Sequence, residues 1–389
     1  MIQRRAHTTI LQLAEGFPFV AITGPRQSGK TTLSRAAFPD KPYVSLEDPD
    51  AREFADSDPR GFLARFPDGA ILDEAQRCPQ LFSYLQTHAD IDGRLGLYIL
   101  TGSQQFGLLS DISQSLAGRV GMVQLLPFSS GELHKAGLLP SSIDNLLLRG
   151  MYPPLHDRSL AINQWYPAYV STYVERDVRQ MINVHDLSSF QRFVRMCAAR
   201  TGQLLNLSSL ANDCGITHNT AKSWVSILEA SYIIHLLQPH HKNFNKRLIK
   251  APKLYFYDTG LAAWLMGIQD AAQLSLHPQR GALFETWVVS ELLKGRFNQG
   301  LPSNLFFWRD STGNEVDVLI DHGLTLEPLE IKSGQTITKD SFGGLLKWTV
   351  LAGESAGRAR LVYGGNERQD RREADVLPWN EIASLADNL

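Results

Sequence analysis

A glycine-rich segment near the start of the chain has the residue types that bind phosphate. Residues 24–31 read GPRQSGKT, which fits the P-loop pattern GxxxxGK[ST], and they follow an apolar run, Phe17–Thr23, that predicts a buried strand. Gly24 and Gly29 let backbone N–H groups point inward, and the helix that follows adds the partial positive charge of its N-terminus. Lys30 can reach the β- and γ-phosphates, and the Thr31 hydroxyl can ligate Mg²⁺. The predicted nucleotide-binding residues are Gly24, Pro25, Arg26, Gln27, Ser28, Gly29, Lys30, Thr31 and Thr32.

Two adjacent carboxylates follow a second apolar run and indicate hydrolysis. Asp73 and Glu74 come directly after residues 69–72, which predict a short buried strand. Asp73 is placed to hold Mg²⁺ through water, and Glu74 can polarise the water that attacks the γ-phosphate. An acidic strand end is common in isolation, but its position after the P-loop favours the catalytic interpretation.

A third apolar run, Leu97–Leu100, also ends in polar side chains. Ser103 and Gln104 are candidates for a hydrogen bond to the γ-phosphate or to the attacking water, and Thr101 is an alternative. An ordinary polar turn explains these residues equally well. Arg119 precedes a further apolar run and could act as an arginine finger on the transferring phosphate, within its own chain or from a neighbouring subunit. A surface arginine that caps a helix is the alternative.

Taken together, these motifs resemble a family of bacterial and archaeal ATPases of the AAA superfamily. The similarity runs through Gly24–Thr31, Ile71–Gln76, Thr101–Ser103, Leu116–Arg119, Pro127–Ser129, Tyr173–Val178 and Leu377–Trp379. The resemblance implies an AAA-type ATPase core that uses ATP and Mg²⁺, followed by a C-terminal domain of unknown function. Residues 150–153 read GMYP where relatives usually have GGYP. This difference puts a tight turn in doubt, but no chemistry.

The middle of the chain has a pattern that resembles a helix-turn-helix. Ser208 is the predicted N-cap of a first helix through Cys214, Gly215 allows a turn, and Thr217 caps a second helix through Glu229. Ile216, Ala221, Trp224 and Val225 are expected to face inward, and His218, Asn219, Lys222 and Ser223 outward. Two strand-like runs, at residues 232–238 and 254–257, supply a wing.

Local charge supports contact with nucleic acid. Residues 185–260 carry nine basic and four acidic side chains in a chain whose net charge is -2. Basic residues clustered at a wing suit phosphate contacts. The predicted DNA-binding residues are His218, Asn219, Lys222, Lys246 and Arg247. A protein contact, or a basic face that is only solvated, is the alternative.

A set of carboxylates near the C-terminus resembles a nuclease site. Glu285 lies in a predicted helix (residues 281–294), Asp317 in the second of two predicted strands (305–309 and 315–320), and Glu330 and Lys332 in a third (329–332). This order resembles the restriction-endonuclease-like fold, whose motif is PD-(D/E)xK. The resemblance implies that Asp317, Glu330 and Glu285 hold a second Mg²⁺ or Mn²⁺, and that Lys332 positions or deprotonates the hydrolytic water. A domain that binds without cleaving is the alternative.

Composition limits the remaining possibilities. Of the 389 residues, 43% are hydrophobic and 20% charged, which excludes a disordered or fibrous chain, and the net charge of -2 excludes a polybasic nucleic-acid coat. Cys78, Cys197 and Cys214 lie far apart and form no CxxC pair, which suits a reducing cytoplasm. No apolar run is long enough for a bilayer, so we expect a cytoplasmic protein without a membrane partner.

The sequence therefore predicts an α/β protein of three parts. A P-loop AAA-type ATPase domain (1–150) precedes a helical linker and winged-helix domain (151–265) and a nuclease-like α/β domain (266–389); Trp165, Tyr166 and Tyr169 predict a buried helix face in the linker. In one hypothesis, ATP turnover drives DNA binding and metal-dependent DNA cleavage. In the other, the ATP and ADP states switch DNA or protein binding, and the nuclease-like domain is inactive. A trans-acting Arg119 would require a homo-oligomer.

Overall fold

The chain forms two compact units in a computed structural model, which describes residues 2–103, 115–158, 160–174, 187–240 and 250–389. The first unit consists of Met1–Phe128, Ala230–Tyr232 and Phe297–Pro302. The second consists of Ser129–Glu229, Ile233–Arg296 and Ser303–Leu389. Among the helices described, none combines the length and the apolar character needed to cross a membrane.

The first unit is built on a parallel sheet of five strands in the order β2-β3-β4-β1-β5. Its strands are β1 (Phe19–Thr23), β2 (Tyr43–Ser45), β3 (Ala70–Asp73), β4 (Tyr98–Gly102) and β5 (Val120–Gln124). Its helices are α1 (Ala6–Gly16), α2 (Lys30–Ala37), α3 (Pro49–Ser57), α4 (Pro59–Ala64) and α5 (Leu81–Asp92). β1, β3 and β4 are buried throughout, which is why each of them reads as a continuous apolar run.

This sheet confirms the strands expected at the P-loop and at the two polar strand ends. Because β1, β3 and β4 are parallel neighbours, their carboxyl ends meet at one edge of the sheet. The helix expected after the P-loop begins at Lys30. The sheet thus gathers three segments that are far apart in sequence.

Short helices open the second unit: α6 (Ser130–Lys135), α7 (Ile143–Arg149), α8 (Pro153–Asp157) and α9 (Ile162–Tyr169). On α9, Trp165, Tyr166 and Tyr169 are buried, which confirms them as core residues. The turn in doubt at Gly150 is formed with a single glycine at φ +69° and ψ −169°, a region essentially restricted to glycine. The N–H of Met151 donates to the buried carboxylate of Asp258 at 2.7 Å, and Met151 has no positive φ, so its backbone does not require a second glycine.

The two helices expected around Gly215 form, and a three-stranded sheet accompanies them. Its elements are α10 (Leu187–Ala198), β6 (Gln203–Leu204), α11 (Leu207–Cys214), α12 (His218–Ala230), β7 (Ile234–Leu237) and β8 (Lys253–Phe256), with the strands in the order β6-β8-β7. Gly215 takes the left-handed turn at φ +68°, and the N–H of Thr220 donates to the Thr217 hydroxyl at 3.1 Å, which confirms that cap. The first cap was predicted wrongly: Asn206 accepts from the Ser209 N–H, and the helix begins before Ser208.

A mixed six-stranded sheet completes the second unit, in the order β13-β14-β12-β11-β10-β9. Its strands are β9 (Leu305–Arg309), β10 (Glu315–Asp321), β11 (Leu326–Lys332), β12 (Arg360–Tyr363), β13 (Gln369–Asp370) and β14 (Asp375–Pro378). The helices of this part of the chain are α13 (Thr259–Leu265), α14 (Ala271–Leu276), α15 (Arg280–Asn298), α16 (Gly343–Ala352) and α17 (Ile382–Asp387). The helix and the three strands expected here are confirmed. Strands β12, β13 and β14 were not predicted.

Candidate functional site

The P-loop takes backbone angles that favour glycine. Gly24 lies at φ +148° and Gly29 at φ +94°, and Gln27 between them lies at φ +60°. A Cβ atom on Gly24 would come within 2.1 Å of the Leu125 carbonyl oxygen, so no other residue fits there. The Lys30 ammonium donates to the carbonyl oxygens of Gly24 at 3.0 Å and Pro25 at 2.8 Å, and therefore lies over the loop.

A buried arginine that the sequence analysis did not single out holds the P-loop from behind. The Arg4 guanidinium donates to the carbonyl oxygens of Ser28 at 2.6 Å and Leu126 at 2.7 Å, and lies 4.9 Å from the centre of the Phe128 ring. Only 8% of Arg4 is exposed. Arg4 therefore ties the P-loop to the segment that follows β5. A single basic residue, here one of the adjacent pair Arg4 and Arg5, gives no sequence signal for such a contact.

Asp73 receives hydrogen bonds from three other elements of the unit. Its carboxylate accepts from the Thr31 hydroxyl at 3.1 Å, from the Tyr43 hydroxyl at 2.7 Å and from the Thr101 hydroxyl. Burial and the hydrogen bond to Asp73 raise the pKa of Tyr43 above its ordinary value, so Tyr43 stays a neutral donor. Thr31 and Asp73 are therefore adjacent, as Mg²⁺ coordination requires, and the remaining ligands of such an ion would be phosphate and water oxygens.

Glu74 is held in an unusual conformation beside Asp73. Its backbone lies at φ +55°, in the left-handed region that costs a non-glycine residue about 1 kcal/mol or more. One carboxylate oxygen accepts from the Ser103 hydroxyl at 2.9 Å and from the Gln76 amide at 2.5 Å. Ser103, one of the predicted γ-phosphate contacts, is thus brought to Glu74. Gln76 was not predicted as part of this group.

The other predicted residues of the first unit lie apart from this cluster or outside the described chain. Arg26 pairs with Glu47 at 3.8 Å, and Thr32 is exposed. Gln104 is outside the described residues.

Arg119 does not reach the P-loop of its own chain. It precedes β5, and its carbonyl accepts from the N–H of Phe19, at the start of β1. The P-loop follows the other end of β1, roughly 15 Å away for a five-residue strand. The guanidinium also pairs with Asp90 on α5 through two bonds, of 2.6 and 3.1 Å. The expectation of a finger acting within the same chain is therefore corrected, and only the trans role stays a prediction.

A second contact missed by the sequence analysis comes from Tyr232. Its backbone has φ +57°, and its buried hydroxyl donates at 2.7 Å to the hydroxyl of Thr23, the last residue of β1 before the P-loop. Tyr232 lies two residues after the end of α12 and belongs to the first unit, although the segments on both sides of residues 230–232 do not. In the sequence, Tyr232 appears only as the first residue of the strand-like run at residues 232–238, which gives no sign of this hydrogen bond.

In the second unit, the structure brings the nuclease-like side chains together. The N–H of Ile331 donates to Asp317 at 2.8 Å, and the Lys332 ammonium donates to Glu330 at 2.5 Å. Asp317 lies where β10 shifts register against β9, a bulge of the kind that re-aims side chains. Burial and the charges of Glu330 and Glu285 raise the pKa of Asp317 well above its ordinary value.

The metal expected at Glu285, Asp317 and Glu330 does not fit this arrangement. Within the described residues, no group of three or more His, Cys, Asp or Glu side chains is placed to hold a metal ion. The Lys253 ammonium lies 2.9 Å from Glu285 and 3.9 Å from Asp317, where its positive charge would compete with a metal ion for their oxygens. Burial opposes the charge of Lys253, but the surrounding acidic groups outweigh it and raise its pKa well above the ordinary value.

The predicted DNA-binding residues of α12 lie on its exposed face. His218, Asn219, Lys222 and Ser223 are exposed, and Ala221, Trp224 and Val225 are buried, while Ile216 in the turn is half-buried. Trp224 packs edge-on against Phe190 and Phe193 of α10. Lys246 and Arg247 are outside the described residues.

Comparison with known proteins identifies three family regions in the chain. Residues 16–134 match the model of an AAA domain, residues 141–272 a domain of unknown function (DUF8612) and residues 280–382 a second one (DUF4143). The uncharacterized proteins Rv2008c of Mycobacterium tuberculosis and Mb2031c of Mycobacterium bovis are each 31% identical over 377 residues, which cover 95% of this chain and 81% of theirs. The chain belongs to the same family as these mycobacterial proteins. Its N-terminal domain is an AAA-type ATPase domain, with which the five-stranded parallel sheet is consistent.

Among solved structures, the similarity is partial. The Walker-type ATPase PABY2304 of Pyrococcus abyssi gives a TM-score of 0.46 at 14% identity, over 68% of this chain and 96% of that one. A single-residue variant of RuvB from Thermotoga maritima gives 0.29 at 16% identity, over 60% and 88% of the two chains.

The position of Arg4 leads to a prediction about nucleotide affinity. We expect Arg4→Met to weaken ADP binding about tenfold, because a buried charged donor to the P-loop carbonyl is worth about 1.5–3 kcal/mol. Arg4→Lys should retain part of the affinity, because one ammonium replaces only part of the guanidinium fork. Isothermal calorimetry measures both values, and Arg60→Met on α4, an exposed arginine of the same unit, is the control. Unchanged ADP affinity in Arg4→Met would show that the P-loop does not need this contact.

Proposed function

We propose that the AAA domain of this protein binds ATP with Mg²⁺ and hydrolyses it. The observation that carries the proposal is the 3.1 Å hydrogen bond between Thr31 of the P-loop and Asp73 of β3, with Glu74 as the next residue in the chain. In this arrangement the two Mg²⁺ ligands, Thr31 and Asp73, are in contact, and the base that would polarise the water, Glu74, follows Asp73 in the chain. Hydrolysis by a P-loop enzyme needs both.

Each side chain then has a separate task. The Lys30 ammonium, now bonded to two neutral carbonyls, would move to phosphate oxygens, because charged acceptors form stronger hydrogen bonds. Thr31 and Asp73 would hold Mg²⁺, which neutralises phosphate charge when bound. Glu74 would polarise the attacking water, with Ser103 and Gln76 holding its carboxylate in place.

Two substitutions separate nucleotide binding from hydrolysis. We expect Glu74→Gln to lower kcat for ATP by about 100-fold or more, because it removes the base, while ATP affinity changes by less than about threefold. Lys30→Ala should weaken ATP binding itself by about tenfold or more, because it removes the charge on the phosphates. Phosphate release and calorimetry measure the two effects.

The control for these variants is Glu53→Gln on α3, an exposed glutamate of the same unit. If Glu74→Gln hydrolysed ATP at the wild-type rate, Glu74 would have no catalytic role. If the wild-type protein failed to bind ATP or ADP with Mg²⁺, the proposed ATPase function would be wrong.

We further propose that Arg119 completes the site of a neighbouring copy, which makes the active species a homo-oligomer. This is supported by the placement of Arg119 at the opposite end of β1 from the P-loop, too far for a role within its own chain. The side chain is one-third exposed and its partner Asp90 is half exposed, so the pair can be broken at little cost.

A mixing experiment tests the trans role. Arg119→Ala and Lys30→Ala should each be nearly inactive alone, but their mixture should regain ATPase activity, because intact P-loops would meet intact arginines. The expected recovery is roughly a quarter of the wild-type rate for an equal mixture that assembles at random. A mixture no more active than its components would refute the trans arginine.

We propose DNA binding as a second function, through the exposed face of α12. The support is the division of this helix into an exposed polar face (His218, Asn219, Lys222) and a buried face at Trp224. Two of the nine basic residues counted in this segment are already engaged: Arg200 pairs with Asp213, and Lys253 is buried among carboxylates. The basic surface is therefore smaller than its sequence count, but Lys222 lies where a recognition helix would present it.

Reversing one charge tests this surface. Lys222→Glu should weaken duplex DNA binding roughly tenfold and reduce the slope of log K against log[salt] by about 1, because one phosphate contact releases about one counterion. Fluorescence anisotropy at several salt concentrations measures both quantities. Lys135→Glu on α6, exposed in the same unit, is the matched control. Equal affinity and slope in wild type and Lys222→Glu would favour a protein partner instead.

For the chain as a whole, we propose a nucleotide-dependent switch rather than a nuclease. The AAA domain supplies turnover of ATP, and the winged helix supplies a binding surface. DNA cleavage is the weaker hypothesis, because its metal does not fit the C-terminal carboxylates among the residues that the structure describes.

A further inference from the structure

Three carboxylates surround one buried lysine in the second unit, and a fourth carboxylate lies near them. Glu285 comes from α15, Glu315 and Asp317 from β10, and Glu330 from β11. The Lys253 ammonium contacts Glu285 at 2.9 Å, pairs closely with Glu315, and lies 3.9 Å from Asp317. The side chain of Lys253 is only 4% exposed, so its charge is compensated by these carboxylates rather than by bulk water.

The lysine reaches the cluster because of the strand that carries it. Alternate residues of a strand face the same way, so Lys253 and Tyr255 of β8 share a face. The Tyr255 hydroxyl donates to the same oxygen of Glu285, at 2.5 Å. A strand of the wing therefore supplies both donors to the carboxylate of α15.

The cluster has the carboxylate groups of a metal site, but its cation is the ammonium of Lys253. A divalent cation would need several of these oxygens at about 2.0–2.6 Å from one point. The ammonium contacts Glu285 and Glu315 directly and lies 3.9 Å from Asp317, so it already pairs with oxygens that a divalent cation would use. One carboxylate oxygen of Glu330, a residue 8% exposed, has no hydrogen-bond partner in the described structure and is the remaining acceptor of the cluster.

We propose that the Lys253 ammonium is the resident cation of this carboxylate cluster and takes the place of a divalent metal. The C-terminal domain would then keep its acidic residues folded together without any metal. Removing the charge of Lys253 would leave the carboxylates repelling one another, and an added divalent cation would relieve that repulsion.

Metal rescue of a lysine variant tests this inference. In nucleotide-free full-length protein, we expect Lys253→Met to lower Tm in EDTA by about 5–15 °C, because several buried carboxylates would lose their positively charged partner. Adding about 1 mM Mn²⁺, on the order of the weaker affinities of protein sites for divalent cations, should restore at least half of this loss. Wild-type Tm should differ by less than about 1 °C between EDTA and Mn²⁺. Lys250→Met, an exposed lysine just before β8, should behave as wild type.

A second substitution locates the metal. Asp317→Asn added to Lys253→Met should abolish the Mn²⁺ response, which separates this cluster from any weak metal binding at the P-loop. If Lys253→Met does not fold, the double variant Lys253→Met/Glu285→Gln should fold, because the charge imbalance is smaller.

Three results would overturn the inference. These are a Mn²⁺-dependent rise in wild-type Tm that Asp317→Asn removes, full stability of Lys253→Met in EDTA, and Mn²⁺-dependent DNA nicking by wild type that Asp317→Asn and Lys332→Ala both lose. None of these measurements involves ATP, so failure here leaves the proposed ATPase function untouched.

Discussion

The arrangement of the first unit depends on the hydrogen bonds that the buried carboxylate of Asp73 receives. Asp73 lies at the end of β3 with 9% of its surface exposed, where an unpaired charge would be costly. Thr31, Tyr43 and Thr101 supply hydroxyls from α2, β2 and β4. These contacts depend on the strand order β2-β3-β4-β1, because it makes all three elements neighbours of the carboxylate.

In the second unit, a buried lysine compensates the charge of a group of carboxylates. Lys253 of β8 pairs with Glu285 and Glu315, and Tyr255 of the same strand donates a hydrogen bond to Glu285. The two sites differ in the donors that surround their carboxylates. At Asp73 the three donors are hydroxyls, whereas at Glu285 one of the two donors is an ammonium, which would compete with any metal ion.

Unusual backbone angles gather at the nucleotide-binding end of the first unit. Among the described residues, Gln27, Glu74 and Tyr232 are the non-glycine residues with positive φ. Gln27 belongs to the P-loop, Glu74 follows the buried carboxylate of Asp73, and Tyr232 hydrogen-bonds to the residue before the P-loop. Strain of this kind persists only where surrounding contacts hold it, and it commonly marks functional positions.

The sequence by itself determined the local chemistry: the P-loop, the Asp73–Glu74 pair, the two faces of α12, and the strand that carries Glu330 and Lys332. Each of these features lies within a short stretch of the chain and depends on residue types at a fixed spacing, so the sequence pattern alone identifies it. Only the tertiary structure decided which long-range partners meet these residues. Arg4 behind the P-loop, the position of Arg119 at the far end of β1, and Lys253 among the carboxylates depend on chain segments brought together by folding. A single charged residue carries no periodic signal, because its partner is fixed by sheet order and register rather than by spacing along the chain.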